Sequence, residues 1–165
     1  MTSMASNSTA ASSLEALLHR EIPASKAFSI QVSSLDSGQI CLEAPVAENN
    51  INIHGTAFAG SIYSMSALAA WALMFDCMQR ADCHADLVIA KANIQYQRPA
   101  VGSIIATTRL SDETLQAFFS DLEENGKARL EAHVDVFDRT ALRATNQVCL
   151  VAISRSSIPA DQPPL

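Results

Sequence analysis

Between Ala44 and Gly60 the chain reads APVAENNINIHGTAFAG, a polar, asparagine-rich segment that runs into a long apolar stretch. Asn49, Asn50 and Asn52 can bend the backbone and offer side-chain amides as donors, while Gly55 and Gly60 leave backbone N–H groups open to a close ligand. If a helix begins here, its N-terminus favours negative charge, so a carbonyl oxygen seated there is stabilised as it becomes an oxyanion during acyl transfer. His54 stands directly before Gly55, and histidine is the side chain suited to proton exchange near neutral pH. The same residues serve equally well as a turn and a cap, and Asn50 and Asn52 would then only shape the loop. Other polar residues are weaker candidates. Ser64 and Ser66 carry no base of their own, Asp86 opens an alternating stretch as a solvated charge would, and His133 sits among strand residues. Cys77, Cys83 and His84 lack a fourth ligand at zinc spacing, so no metal is expected.

The elements that must position this segment follow from periodicity. Leu14, Leu17, Leu18 and Ile22 recur at helical spacing behind Ser13 as N-cap, with Pro23 ending the helix. Phe28, Ile30 and Val32, then Ile40, Leu42 and Ala44, alternate around Asp36-Ser37-Gly38 and read as a hairpin. From Thr56 to about Gln79 the sequence is small and apolar almost all round, which requires a helix buried on most sides. Asp86 to Gln97 reads as a strand with Val88, Ala90, Ala92, Ile94 and Tyr96 on one face. Ile104 to Leu110 is a further strand, followed by a short helix between Ser111 or Asp112 and Gly126. Ala128 to Phe137 and Leu142 to Ile153 complete the pattern as two strands. The sum is an α+β fold, a curved antiparallel sheet wrapped around one long buried helix. Residues 1–12 are expected to form a disordered leader, residues 13–155 the domain and residues 156–165 a flexible tail.

Composition narrows the partners. The chain has 165 residues, a net charge of −6 and 48% hydrophobic residues against 17% charged. The acidic balance argues against a phosphate-backbone binder, so nucleic acid is not expected. The apolar run Ala67 to Phe75 falls short of the ~20 residues of a membrane span. Scattered cysteines and the absence of a secretory signal point to the cytoplasm. An unusually apolar chain with sheet edges to protect is expected to pair with a second copy, as a homodimer or a dimer of dimers.

Asn52, Gly55, Phe58 and Gly60 together resemble the N-x-x-G-x-x-F-x-G signature of hotdog-fold acyl-CoA thioesterases. The fuller set, Ala44-Pro45, Asn50, Asn52, Gly55-Thr56, Phe58, Gly60-Ser61 and Trp71, with Tyr96-Gln97-Arg98-Pro99 and Gly126-Lys127-Ala128-Arg129, is similar to the YiiD C-terminal-type thioesterases of that superfamily. The resemblance implies hydrolysis of an acyl-CoA or acyl-carrier thioester, with no cofactor, in a site completed by a second subunit. It places the oxyanion donors in the backbone from Gly55 and Thr56 to Gly60; His54 as proton acceptor and Asn52 as holder of a water or the thioester carbonyl are candidates from the loop residues themselves. Asn50, Phe58, Ser61, Ser64 and Arg98 would hold substrate, Arg98 leading Lys91, Arg109, Arg139 and Arg143 as a phosphate contact. One departure stands out: where related thioesterases carry a helix carboxylate, this chain has Ala67. A non-catalytic acyl-CoA or acyl-lipid binding module is therefore the alternative. A hydratase is disfavoured, because the helix supplies neither the histidine nor the carboxylate such chemistry uses.

Overall fold

A computed structural model describes the backbone of residues 2–155 and the side chains from Ser8 onward. Its elements in chain order are α1 (Thr2–Glu21), α2 (Pro23–Ala27), β1 (Gln31–Asp36), β2 (Gln39–Pro45), α3 (Ala59–Arg80), β3 (Ala85–Tyr96), β4 (Ser103–Arg109), α4 (Asp112–Asn125), β5 (Lys127–Phe137) and β6 (Leu142–Ser154). The strands form one antiparallel sheet in the order β1-β2-β4-β5-β6-β3, and it curves around α3 as the element order requires.

Helix α3 is the core. Ala69, Ala70, Ala72, Leu73 and Met74 are wholly buried, because strands lie over it closely wherever its side chains are small. It has the length and apolarity of a membrane span, yet 67% of that window lies buried inside the fold, which marks a core helix. Facing it, Ala128, Leu130, Ala132, Val134 and Val136 of β5 alternate inward with Ala144, Val148, Leu150 and Ala152 of β6. One polar contact crosses this interface: Asn146 Nδ2 donates to Ser66 Oγ at 2.8 Å, and Ser66 in turn donates to the Tyr63 carbonyl at 2.9 Å. This bond forms at one rotation of the helix over the sheet, while Asn146 Oδ1 beside it has no partner among the described residues.

Cap chemistry places α4 where the sequence expects it. Ser111 Oγ accepts from the Thr114 amide at 3.2 Å, and Gly126 closes the helix at φ +66.

Two sets of expectations are corrected, at the start of the chain and along β3. Residues 2–12 belong to α1 and are not an irregular leader; Ser13 lies inside the helix, and Ala11, Leu14 and Leu18 are buried against the domain. The expected tail, residues 156–165, lies outside the described residues. The face of β3 changes at a bulge: Ile89 pairs with Leu150 and Lys91 with Cys149, leaving Ala90 as the extra residue. Leu87 and Ile89 therefore share the inner register, in place of Val88 and Ala90, and the expected alternation holds only from Ala92 onward. A second bulge, at Ser33, carries the buried set of β1 from Val32 to Leu35.

The two sheet edges differ. At β1, Glu15 Oε2 accepts from the Val32 amide at 2.8 Å and His19 Nε2 donates to the Ile30 carbonyl at 2.7 Å, so α1 covers that edge. At β3, Ile89 and Tyr96 stay exposed.

Candidate active site

The segment before α3 is a built loop. Its ends are clamped by the Ile51–Ala57 bridge, by the Phe58 amide donating to the Asn50 carbonyl (2.8 Å) and by the Ala57 amide donating to the Ala100 carbonyl (2.9 Å). Asn52 organises the interior. Its Oδ1 accepts from the amides of His54 (2.9 Å) and Thr56 (3.2 Å), while its Nδ2 donates to Thr56 Oγ1 (2.9 Å) and the Ala57 carbonyl (3.1 Å). This Asx-type arrangement uses the whole amide, so Asn52 acts on the loop backbone. Gly55 turns the chain at φ +72, a conformation that side-chain-bearing residues rarely adopt. Ile53 and His54 are left on the exposed tip. Asn52→Ala should free this loop and lower any activity of the site about tenfold or more, while circular dichroism and Tm remain near wild type; an unchanged rate would show that the loop is not needed.

Asn50 works behind the loop. It is buried, and its Nδ2 donates to the Phe28 carbonyl (2.6 Å) and the Pro45 carbonyl (3.0 Å), tying the α2–β1 link to the end of β2. Asn49 repeats the tie through its Nδ2 to the Ala27 carbonyl at 2.7 Å. Ser61 is also buried, its hydroxyl 3.5 Å from the Asn49 carbonyl.

The loop ends in a helix start without a side-chain cap. Phe58 occupies the N-cap position, and the amides of Ser61 and Ile62 both turn back to its carbonyl. Gly55 donates to the Asn52 carbonyl, and Thr56 to the Asn52 side chain. Two amides in this stretch, Ala59 and Gly60, therefore have no acceptor among the described residues. They occupy the first two helical positions, where backbone N–H groups lack intrahelical partners and the helix dipole is positive. Gly60 also leaves room for the Phe58 ring, which folds back over the first turn: a Cβ there would lie 2.3 Å from its Cε1, and the ring would have to move.

Two tyrosines with no expected site role, Tyr96 and Tyr63, stand at this start. Tyr96 Oη donates to the Ala59 carbonyl at 2.9 Å and so pins the end of β3 to α3. Burial, and then the neighbouring Tyr63 phenol, push the Tyr96 hydroxyl above its ordinary value, so it remains a donor. The signal available in the sequence was Tyr96 at the end of an alternating strand, but its target is a long-range contact that no periodicity encodes.

Below the first turn, Gly60, Ser64, Ala67, Leu68 and Trp71 succeed one another along one side of α3. From Ser64 to Trp71 this side forms one wall of an apolar cleft of about 450 Å³, closed by α2, Phe28 and the bulged part of β3.

The candidate cations separate. Arg143 is held by Asp138 at 2.7 Å and Arg139 by Glu43 at 3.0 Å, while Arg98, Arg109 and Lys91 have no acidic partner among the described residues. Arg109 lies across the sheet beside His133 and Asp135, far in sequence and topology from the loop. Arg98 stands two residues before Ala100, the residue that holds the Ala57 amide. Asp86 is engaged by Arg155 at 3.1 Å.

A curved six-stranded sheet around one long helix, entered through a glycine- and asparagine-containing loop, defines the hotdog-fold class of thioesterases. The chain belongs to the family described as "Putative thioesterase (yiiD_Cterm)", whose profile matches residues 11–151. Similar solved structures include a "putative thioesterase" from Shewanella oneidensis, 30% identical over 87% of this chain and 96% of its own, with a TM-score of 0.78. A protein of unknown function from Chlorobaculum tepidum is 24% identical over 90% of this chain and 97% of its own, with a TM-score of 0.84. The E. coli PaaI protein from the phenylacetic acid degradation operon is 15% identical over 87% of this chain and 94% of its own, with a TM-score of 0.63, a likeness of fold.

Proposed function

We propose that this chain hydrolyses acyl thioesters of coenzyme A, with the acyl carbonyl oxygen received by the Ala59 and Gly60 amides. The observation that carries the reading is the uncapped start of α3: two adjacent donors, fixed by a clamped loop and left without acceptors. As water's oxygen bonds to the acyl carbon, the carbonyl oxygen gains charge. Donors already in place stabilise that charge without reorganisation. The C–S bond then breaks, and the thiolate takes a proton to leave a carboxylic acid and free thiol. His54, on the loop tip, is the proposed proton acceptor for the attacking water. Arg98, an exposed guanidinium just past the end of β3 with no acidic partner among the described residues, is the proposed contact for the coenzyme's phosphates, since that fork suits a phosphate.

The working unit in this reading is a homodimer paired through β3. That edge is open, whereas β1 is covered, and Tyr96 of β3 touches the first turn of α3, so a second copy along β3 would lie beside the site. A binding module without chemistry is the second reading, supported by Ala67, which leaves the cleft wall free of carboxylate.

Free-thiol release from a series of acyl-CoAs decides between them. The hydrolase reading expects turnover that His54→Ala slows, and a KM that rises about tenfold in Arg98→Ala with acyl-CoA but not with acyl-pantetheine, which lacks the nucleotide phosphates. Tight binding with no thiol release at any chain length would select the binding module.

A further inference from the structure

We propose that the cleft along α3 seats a straight, medium-length acyl chain, and that Ala67 and Trp71 set the length it accepts; this rests on the thioester reading above and names its substrate class. The cleft holds about 450 Å³, within the range of small-molecule sites, and no charged residue lines it. Its two polar lining residues are Ser25 and Ser64, and two hydroxyls are too few to replace the hydration of a charged substituent. A chain of methylenes loses nothing there.

Direction follows from the helix. Gly60, Ser64, Ala67 or Leu68, and Trp71 lie at successive turns of one face, so a carbonyl held at the Ala59 and Gly60 amides directs its alkyl chain down that face. From Gly60 to Trp71 the helix rises about 16 Å, enough for an extended decyl chain but not for a hexadecyl one. Trp71 is a fixed end wall. Its Nε1 donates to the Leu87 carbonyl at 3.0 Å, and its ring stacks on Phe75 at a centroid distance of 5.0 Å. Ala67 sits midway, and its single methyl group leaves the middle of the cleft open.

Trp71 is the one tryptophan in the chain, so its emission reports occupancy of the cleft directly. The experiment titrates the methyl, hexyl, decyl and hexadecyl thioethers of coenzyme A, which have no thioester bond, by calorimetry and Trp71 fluorescence. Affinity should rise by about fourfold for each methylene that enters the cleft and level off beyond decyl. Decyl, but not methyl, should shift the emission. Ala67→Met should weaken the decyl thioether at least tenfold and leave the methyl one unchanged; Ser64→Leu repeats the test from the mouth of the cleft if Ala67→Met does not fold.

Equal affinities for methyl and decyl with silent emission would overturn the proposal. So would emission that follows protein concentration but ignores every thioether, which would assign the cleft to a second copy. Decyl binding that shifts Trp71 while decanoyl-CoA releases no thiol would sink the hydrolase reading and leave the cleft standing. Thiol release that is equal for acetyl- and decanoyl-CoA, with Trp71 silent, would do the reverse.

Discussion

Ala59→Pro should lower kcat/KM for thioester hydrolysis by about a hundredfold to a thousandfold while the protein stays folded. That magnitude is what loss of one oxyanion donor costs. Proline removes the N–H of residue 59, one of the two amides without an acceptor at the start of α3. The position tolerates it. Residue 59 is the first helical residue, where proline's fixed φ suits the helix and its missing N–H breaks no intrahelical bond. Phe58 before it is already extended, at φ −66 and ψ 130, as a residue preceding proline prefers. The side chain at 59 is exposed, so no core contact is disturbed. A lost rate with unchanged Tm and chain-length preference would place the chemistry on the backbone of this turn. A normal rate would remove Ala59 from it.

The second large effect is on stability. Asp138 is a buried carboxylate in the β5–β6 turn. Its Oδ1 accepts from the Thr140 amide (2.8 Å), the Thr140 hydroxyl (2.7 Å) and the Ala141 amide (3.0 Å), and its Oδ2 from Arg143 Nε (2.7 Å) and the Val101 amide (3.3 Å). Burial alone would raise its pKa, but these hydrogen bonds outweigh it, Arg143 foremost, and hold the carboxyl well below the usual carboxylate range. The Val101 contact also matters to the site, because neighbouring Ala100 clamps the loop before α3. Asp138→Asn leaves the Arg143 guanidinium without its counter-charge and should cost about 3 kcal/mol in urea unfolding at neutral pH.

The pH dependence has a definite sign. A folded-state pKa below the unfolded value means that the stabilisation is fully present above about pH 4 and is lost as pH falls toward the depressed folded value. Wild type should therefore lose stability on acidification more steeply than Asp138→Asn, and the two should converge. Parallel curves would show that the carboxylate contributes nothing through its charge.

Much of the fold was legible because its signals are local. Ser111 and Gly126 bound α4 by cap chemistry, and the strict alternation of Ala128 to Val136 leaves one register for a half-buried strand. The bulges at Ser33 and Ala90 were hidden, since a single extra residue without a glycine or proline leaves no mark on composition. The first turns of α1 were hidden by their serine and alanine content, which looks like a leader until Ala11 is seen packed.

At the candidate site, the Asn52 to Gly60 pattern marked the loop that enters α3 but not which of its amides lack acceptors. Reading the helix from Thr56 left all the Gly55 to Gly60 amides as donors. The structure starts it at Ala59, because residues 51–57 close their own loop and use up the Gly55 and Thr56 amides. Arg143 looked as available to a phosphate as Arg98. Its engagement depends on Asp138, whose burial in the β5–β6 turn no local pattern marks.

The proposed hydrolysis requires above all that an acyl carbonyl dock on the Ala59 and Gly60 amides. A crystal structure with a coenzyme A analogue that keeps the carbonyl but replaces the thioester sulfur by methylene tests it most directly. The carbonyl oxygen should lie about 2.9 Å from both amide nitrogens, with the alkyl chain running toward Trp71. A carbonyl bound elsewhere, with both amides facing solvent or another protein group, would contradict it.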